Sequence, residues 1–68
     1  MNKWVKVYTT TNYTQANIIK GMLEENHIPV TIMNKLDSSY LAFGEIQVYV
    51  AKTFEGIALD LINKSLMN

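Results

Sequence analysis

The 68-residue chain contains no cysteine, a single proline, a single histidine and three glycines. Without cysteine, neither a disulfide nor a thiolate metal site can staple the fold. Stability therefore rests on packing within the chain or between copies of it. An excess of charge of either sign is missing too, since six basic and six acidic residues cancel. Partners held mainly through phosphate need a basic face, so this balance disfavours nucleic acid. No apolar run approaches the ~20 residues of a membrane-spanning helix, which argues against a membrane partner. The N-terminus, Met1-Asn2-Lys3-Trp4, lacks the apolar segment of a signal peptide. These absences fit a cytoplasmic protein that is complete from its initiator Met.

What is present is hydrophobic residue, 49% of the chain, too much for intrinsic disorder. A chain this short forms one domain, residues 1–68, with a thin core. Residues 4–10 alternate Val5 and Val7 with Trp4, Lys6 and Tyr8, the period of a strand. A helix follows, with Asn12 as N-cap and Gln15 placed as in a capping box. Its core face is Ala16, Ile19 and Leu23, with Met22 beside them. Asn26-His27 turns the chain, Asn being tolerant of the left-handed conformation.

Pro29 suits the start of an edge strand. Ile28, Val30 and Ile32 then alternate with Pro29, Thr31 and Met33. Residues 34–44 show no period and are expected to form a loop. Ile46, Val48 and Val50 alternate with Glu45, Gln47 and Tyr49 in a third strand. Thr53 can cap a last helix with Glu55 in its first turn and Phe54, Ile57, Ala58 and Leu61 as its core stripe. Leu59, Ile62 and Leu66 widen that apolar arc.

The expected fold class is α+β, a ferredoxin-like β-α-β-β-α arrangement. Its three-stranded sheet has the order 1-3-2, with two helices on one face and the fourth strand absent or rudimentary. The first and third strands are expected to pair in parallel, the second and third antiparallel. Strict alternation turns Val5, Val7, Val30, Ile32, Ile46, Val48 and Val50 toward the helices. The opposite face then carries Trp4, Lys6, Tyr8, Thr31, Met33, Gln47 and Tyr49, with nothing left in the chain to cover it. An uncovered face bearing Trp4, Tyr8, Met33 and Tyr49 is a candidate interaction face, against the simpler reading that amphipathic aromatics tolerate a half-wet sheet.

Little points to catalysis. His27 stands alone at a helix end and reads as a capping residue rather than a metal ligand. Asp37, Ser38 and Ser39 resemble a nucleophile cluster but read more simply as turn residues. The glycines are isolated, so no phosphate loop is present. The expectation is a non-enzyme without cofactor or metal. The loop is apolar for a connector: Leu36, Leu41 and Phe43 suit packing. Asp37, Ser38, Ser39 and Tyr40 are candidate loop contacts.

These residues carry a resemblance. Trp4-Val-Lys-Val-Tyr8, Ala16 to Leu23 followed by Glu-Glu-Asn-His-Ile28, the stretch Asn34-Lys-Leu-Asp-Ser-Ser-Tyr-Leu-Ala-Phe-Gly44 and Ile46-Gln-Val-Tyr-Val50 resemble a family of short prokaryotic signal-transducing domains. It is a domain-of-unknown-function family grouped with the PII (GlnB-like) superfamily. The middle stretch is similar to the form in Bacteroidetes members. His27 departs from the family pattern, which has Gly after the first helix. The resemblance implies a ferredoxin-like fold and a regulatory role, and supplies no ligand.

Two functions compete on the sequence. One is a small non-catalytic regulatory or adaptor module that self-associates and binds an unidentified protein or small molecule. A closed dimer is the default assembly, and a trimer the alternative that the family suggests. The sheet would be extended across the bare first strand, or two faces stacked. The other is single-stranded RNA binding, with bases stacked on Tyr8 and Tyr49. Against RNA stand the zero net charge and the lack of an RNA-binding consensus. The loop is expected to be ordered, because Leu36, Leu41 and Phe43 anchor it and Asp37-Ser38-Ser39 bond nearby backbone. Amide exchange in residues 34–44 should then be slower than in an unstructured peptide of the same sequence.

Overall fold

A computed structural model of the protein describes residues 3–36 and 44–66. The elements run β1 (Trp4–Thr10), α1 (Tyr13–Glu25), β2 (Val30–Leu36), β3 (Gly44–Ala51), a 3-10 turn (Lys52–Phe54) and α2 (Glu55–Leu66). The sheet has the order β1-β3-β2. Both helices pack on its apolar face, giving the α+β arrangement expected.

Both strand pairs are antiparallel, which corrects the parallel pairing expected for the first and third strands. The reason is topological. A helical crossover joins β1 to β2, so those two run the same way. The connection from β2 to β3 then reverses the chain, and β3 lies antiparallel to both neighbours.

The core forms where the apolar side of the sheet meets the helices. Ile46, Val48 and Val50 of β3, Ala16, Ile19 and Leu23 of α1, Ala58 and Ile62 of α2, and Ile28 between α1 and β2 are all buried. The face expected for α1 is the one observed. On α2 the buried stripe is shifted. Phe54 and Leu61 are partly buried, whereas Ile57 is 57% exposed and leaves the stripe to Ile62. Thr53 does not cap α2; it sits inside the 3-10 turn that leads into it. Glu55 does lie in the first turn, paired with Lys52 at 3.2 Å.

The α1 termini show how local chemistry fixes the crossover. Asn12 Oδ1 accepts from the Gln15 N–H at 3.2 Å, so Asn12 is the N-cap. The Asn12 N–H donates to Thr10 Oγ1 at 3.0 Å, taking the place that a reciprocal capping box would give to Gln15. At the other end His27, not Asn26, takes the left-handed conformation, with φ 60° against −93° for Asn26. The His27 N–H donates to Glu24 O and the Ile28 N–H to Leu23 O, both at 3.0 Å. That is a Schellman motif, and the apolar pair that accompanies it is Leu23 with Ile28, both buried. Asn26 instead donates its side-chain amide to Met22 O at 2.8 Å.

β2 continues to Leu36 and β3 begins at Gly44, so residues 34–36 and 44, expected in the loop, belong to strands. Residues 37–43, including Asp37, Ser38, Ser39, Tyr40, Leu41 and Phe43, lie outside the described residues. No helix among the described residues is long and apolar enough to cross a membrane.

Two substitutions probe these local choices in opposite directions. A Cβ built at Gly21, inside α1, meets nothing within 4 Å, so Gly21→Ala should stabilise the fold by about 0.5–1 kcal/mol. His27→Gly relieves a left-handed residue at some entropic cost in the unfolded chain and should stabilise by about 0.5 kcal/mol. His27→Val should destabilise, since a β-branched residue is poorly tolerated at positive φ. Urea unfolding monitored by circular dichroism reads all three.

Candidate functional site

The face of the sheet away from the helices is set by the register of the central strand. Ile46, Val48 and Val50 point into the core, so Glu45, Gln47, Tyr49 and Ala51 point the other way. On one side Thr31 lies opposite Tyr49 and Met33 opposite Gln47. On the other side Trp4 lies opposite Ala51, Lys6 opposite Tyr49 and Thr9 opposite Gln47.

Strict alternation fails in β1. The register shifts between Lys6 and Tyr8, so Val7 is an extra residue and Tyr8 pairs with Val48 rather than with a residue of the open face. Val7 and Tyr8 are consecutive, yet both pack against the core cluster. Tyr8 is therefore removed from the interaction face on which alternation places it, and Thr9 takes its position. Tyr8 and Tyr49 lie on opposite sides of the sheet, so they form no pair of base-stacking platforms. That leaves the RNA reading without support.

Three of the four face residues do lie on this side of the sheet: Trp4 on β1 and Met33 on β2, each 47% exposed and opposite Ala51 and Gln47 respectively, and the half-buried Tyr49 on β3. Between them lies a residue whose importance the sequence did not flag. Gln47 is only 5% exposed although it points away from the helices. Tyr49 Oη donates to Gln47 Oε1 at 2.7 Å, and Gln47 Nε2 donates to Glu45 Oε2 at 3.1 Å. The direction of this ladder follows from its end: an ionised carboxylate can only accept, so the amide turns its nitrogen to Glu45 and its oxygen to Tyr49. Tyr49 must then donate. The available signal was the i, i+2 spacing of Glu45, Gln47 and Tyr49, which puts three groups able to bond one another on one side of one strand.

Chemically, the face is a mixed surface. It offers an indole and a thioether for apolar contact, Lys6 and Glu45 as opposite charges, and a fixed hydrogen-bonding spine. Among the described residues no three His, Asp or Glu side chains are grouped to hold a metal ion. The candidate loop contacts Asp37, Ser38, Ser39 and Tyr40 are outside the described residues, so their relation to this face is not described.

The fold and face define a small α+β module with one sheet surface covered by helices and one that no element among the described residues covers. A model of the family described as "Putative prokaryotic signal transducing protein" matches residues 4–65, and the chain belongs to that family. No curated protein and no solved structure matches it.

If the ladder holds the face in shape, Gln47→Ala should cost about 1–2 kcal/mol by stranding its partners, and Tyr49→Phe about 1 kcal/mol. The double variant Gln47→Ala/Tyr49→Phe should cost less than the sum, because the two side chains share one bond. Thermal unfolding of the three variants against wild type measures this.

Proposed function

We propose that the protein is a non-catalytic signal-transducing module that acts by binding. Its open sheet face takes a protein or small-molecule ligand, and copies of the chain associate through the sheet, with a closed dimer as the working assembly. The observation that carries the reading is the pair of half-exposed apolar side chains, Trp4 and Met33, flanking the hydrogen-bonded Glu45–Gln47–Tyr49 ladder. Exposed apolar groups on the two outer strands with a hydrogen-bonded polar row between them suit recognition: the apolar groups supply contact area and the polar atoms supply orientation. The family description supports a role in signalling. The lack of cysteine in the sequence favours the cytoplasm as its place of work.

Catalysis would need a nucleophile or acid oriented by a partner. The side chains that bond one another on the face are a phenol, an amide and a carboxylate, an arrangement suited to holding shape rather than to proton transfer.

Affinity capture from the native cells tests the binding reading, comparing wild type with Trp4→Gln/Met33→Gln. Both positions are half exposed, so the double variant should stay folded, with a stability change of about 0.5 kcal/mol per site. Wild type should retain a protein or small molecule that the double variant loses. Identical co-purifying species for a folded variant would remove the open face from the mechanism.

A further inference from the structure

The sheet ends in two edges, β1 and β2, and they are built differently. The Ala51 N–H donates to the Pro29 carbonyl at 3.3 Å, which makes that pair a hydrogen-bonded one. Hydrogen-bonded pairs alternate along an antiparallel ladder. With the unbroken β2–β3 register, the backbone groups of Thr31 and Met33 therefore address β3, and those of Val30, Ile32 and Asn34 turn outward. The same reasoning from the Lys52 N–H on the Lys3 carbonyl, at 2.8 Å, turns Trp4, Lys6 and Thr9 of β1 outward.

Proteins blunt free edges with bulges, lysines and prolines. β1 has such devices. The extra Val7 breaks the spacing of its outward groups, and pairing β1 with its own copy about its centre brings Lys6 near its twin. β2 has none over its central stretch. No bulge interrupts it, and Val30 to Asn34 contain no charged residue and no proline. Pro29 does not protect the outer edge, because its position faces β3. Among the described residues, nothing pairs with the outer side of β2.

We propose that the outer edge of β2 is the docking surface for a second copy of the chain, paired antiparallel about a two-fold axis at Ile32. This rests on the self-association proposed above and names its surface. In that register Val30 lies opposite the second copy's Asn34, Thr31 opposite its Met33, and Ile32 opposite itself. About six backbone hydrogen bonds form and no two charges are opposed. The two three-stranded sheets become one, with all four helices on the same side. The two open faces join into a single continuous surface, with Thr31 and Met33 of both copies at its seam. A ligand spanning that seam would bind the dimer better than the monomer and would shift the assembly equilibrium.

The test is hydrogen exchange of individual amides in the wild-type chain, read with sedimentation equilibrium over the same range from low micromolar to several hundred micromolar. The amides of Ile32 and Asn34 should slow by about tenfold or more as the dimer fills. The outward amides of Lys6 and Thr9 on β1 should not change. Asn34→Pro removes one outward N–H from an exposed residue without touching the β2–β3 ladder, and it should be monomeric at concentrations where wild type and Trp4→Gln are dimers. A dimer in which Ile32 and Asn34 exchange as fast as in the monomer overturns the edge while leaving self-association standing. A dimer that Trp4→Gln dissolves and Asn34→Pro preserves does the same. A wild-type monomer throughout the range overturns both. Should Asn34→Pro fail to fold, the concentration dependence of the wild-type amides decides alone.

Discussion

β3 is the strand on which the rest of the molecule is assembled. It lies between β1 and β2, and one side of it carries Ile46, Val48 and Val50, all buried against both helices. Burying such a row stabilises the fold by about 25 cal/mol per Å² of apolar surface, in a chain small enough that its core is thin. The other side carries Glu45, Gln47 and Tyr49 joined by hydrogen bonds. One strand thus supplies both the core and the spine of the open face. The two edges take their directions from it, and α1 is clamped between Asn12 and the His27 turn so that β2 enters on its far side.

The bulge at Val7 is the second determinant. It gives the core two consecutive side chains from β1, Val7 and Tyr8, where a regular strand would give one. In doing so it takes an aromatic ring off the open face and replaces it with Thr9. It also makes β1 a poor template for another strand. The same local irregularity therefore makes the face more polar and leaves β2 as the regular edge. The composition of the face and the contrast between the two edges are thus linked through the placement of a single extra residue.

Much of the fold was legible because its signals are local and periodic. Ala16, Ile19 and Leu23 at helical spacing, and Ile46, Val48 and Val50 at strand spacing, mark the core directly. What was not legible depends on pairing partners. Strand direction in β1 follows from the chain's path through β2, not from any residue of β1. The bulge has no signature in Trp4-Val-Lys-Val-Tyr8, which alternates as a regular strand does. Tyr8 was misplaced for that reason, whereas Trp4, Met33 and Tyr49 were placed correctly. On α2 the apolar arc is too wide for periodicity to choose between Ile57 and Ile62; packing against the sheet buries Ile62. The left-handed turn fell to His27 rather than Asn26 because the Schellman bonds count residues from the last helical turn, whatever their intrinsic preference.

That the open face is a binding surface can be asked most directly in living cells. A photo-reactive amino acid placed at position 4, on the face and away from the β2 edge, reports contacts there without interference from pairing of the copies. The same probe at Ile18, on the outer side of α1 and 61% exposed, controls for random encounter. Position 4 should yield a discrete adduct that position 18 does not. No adduct at position 4, or the same diffuse set from both positions, would contradict a binding role for the face.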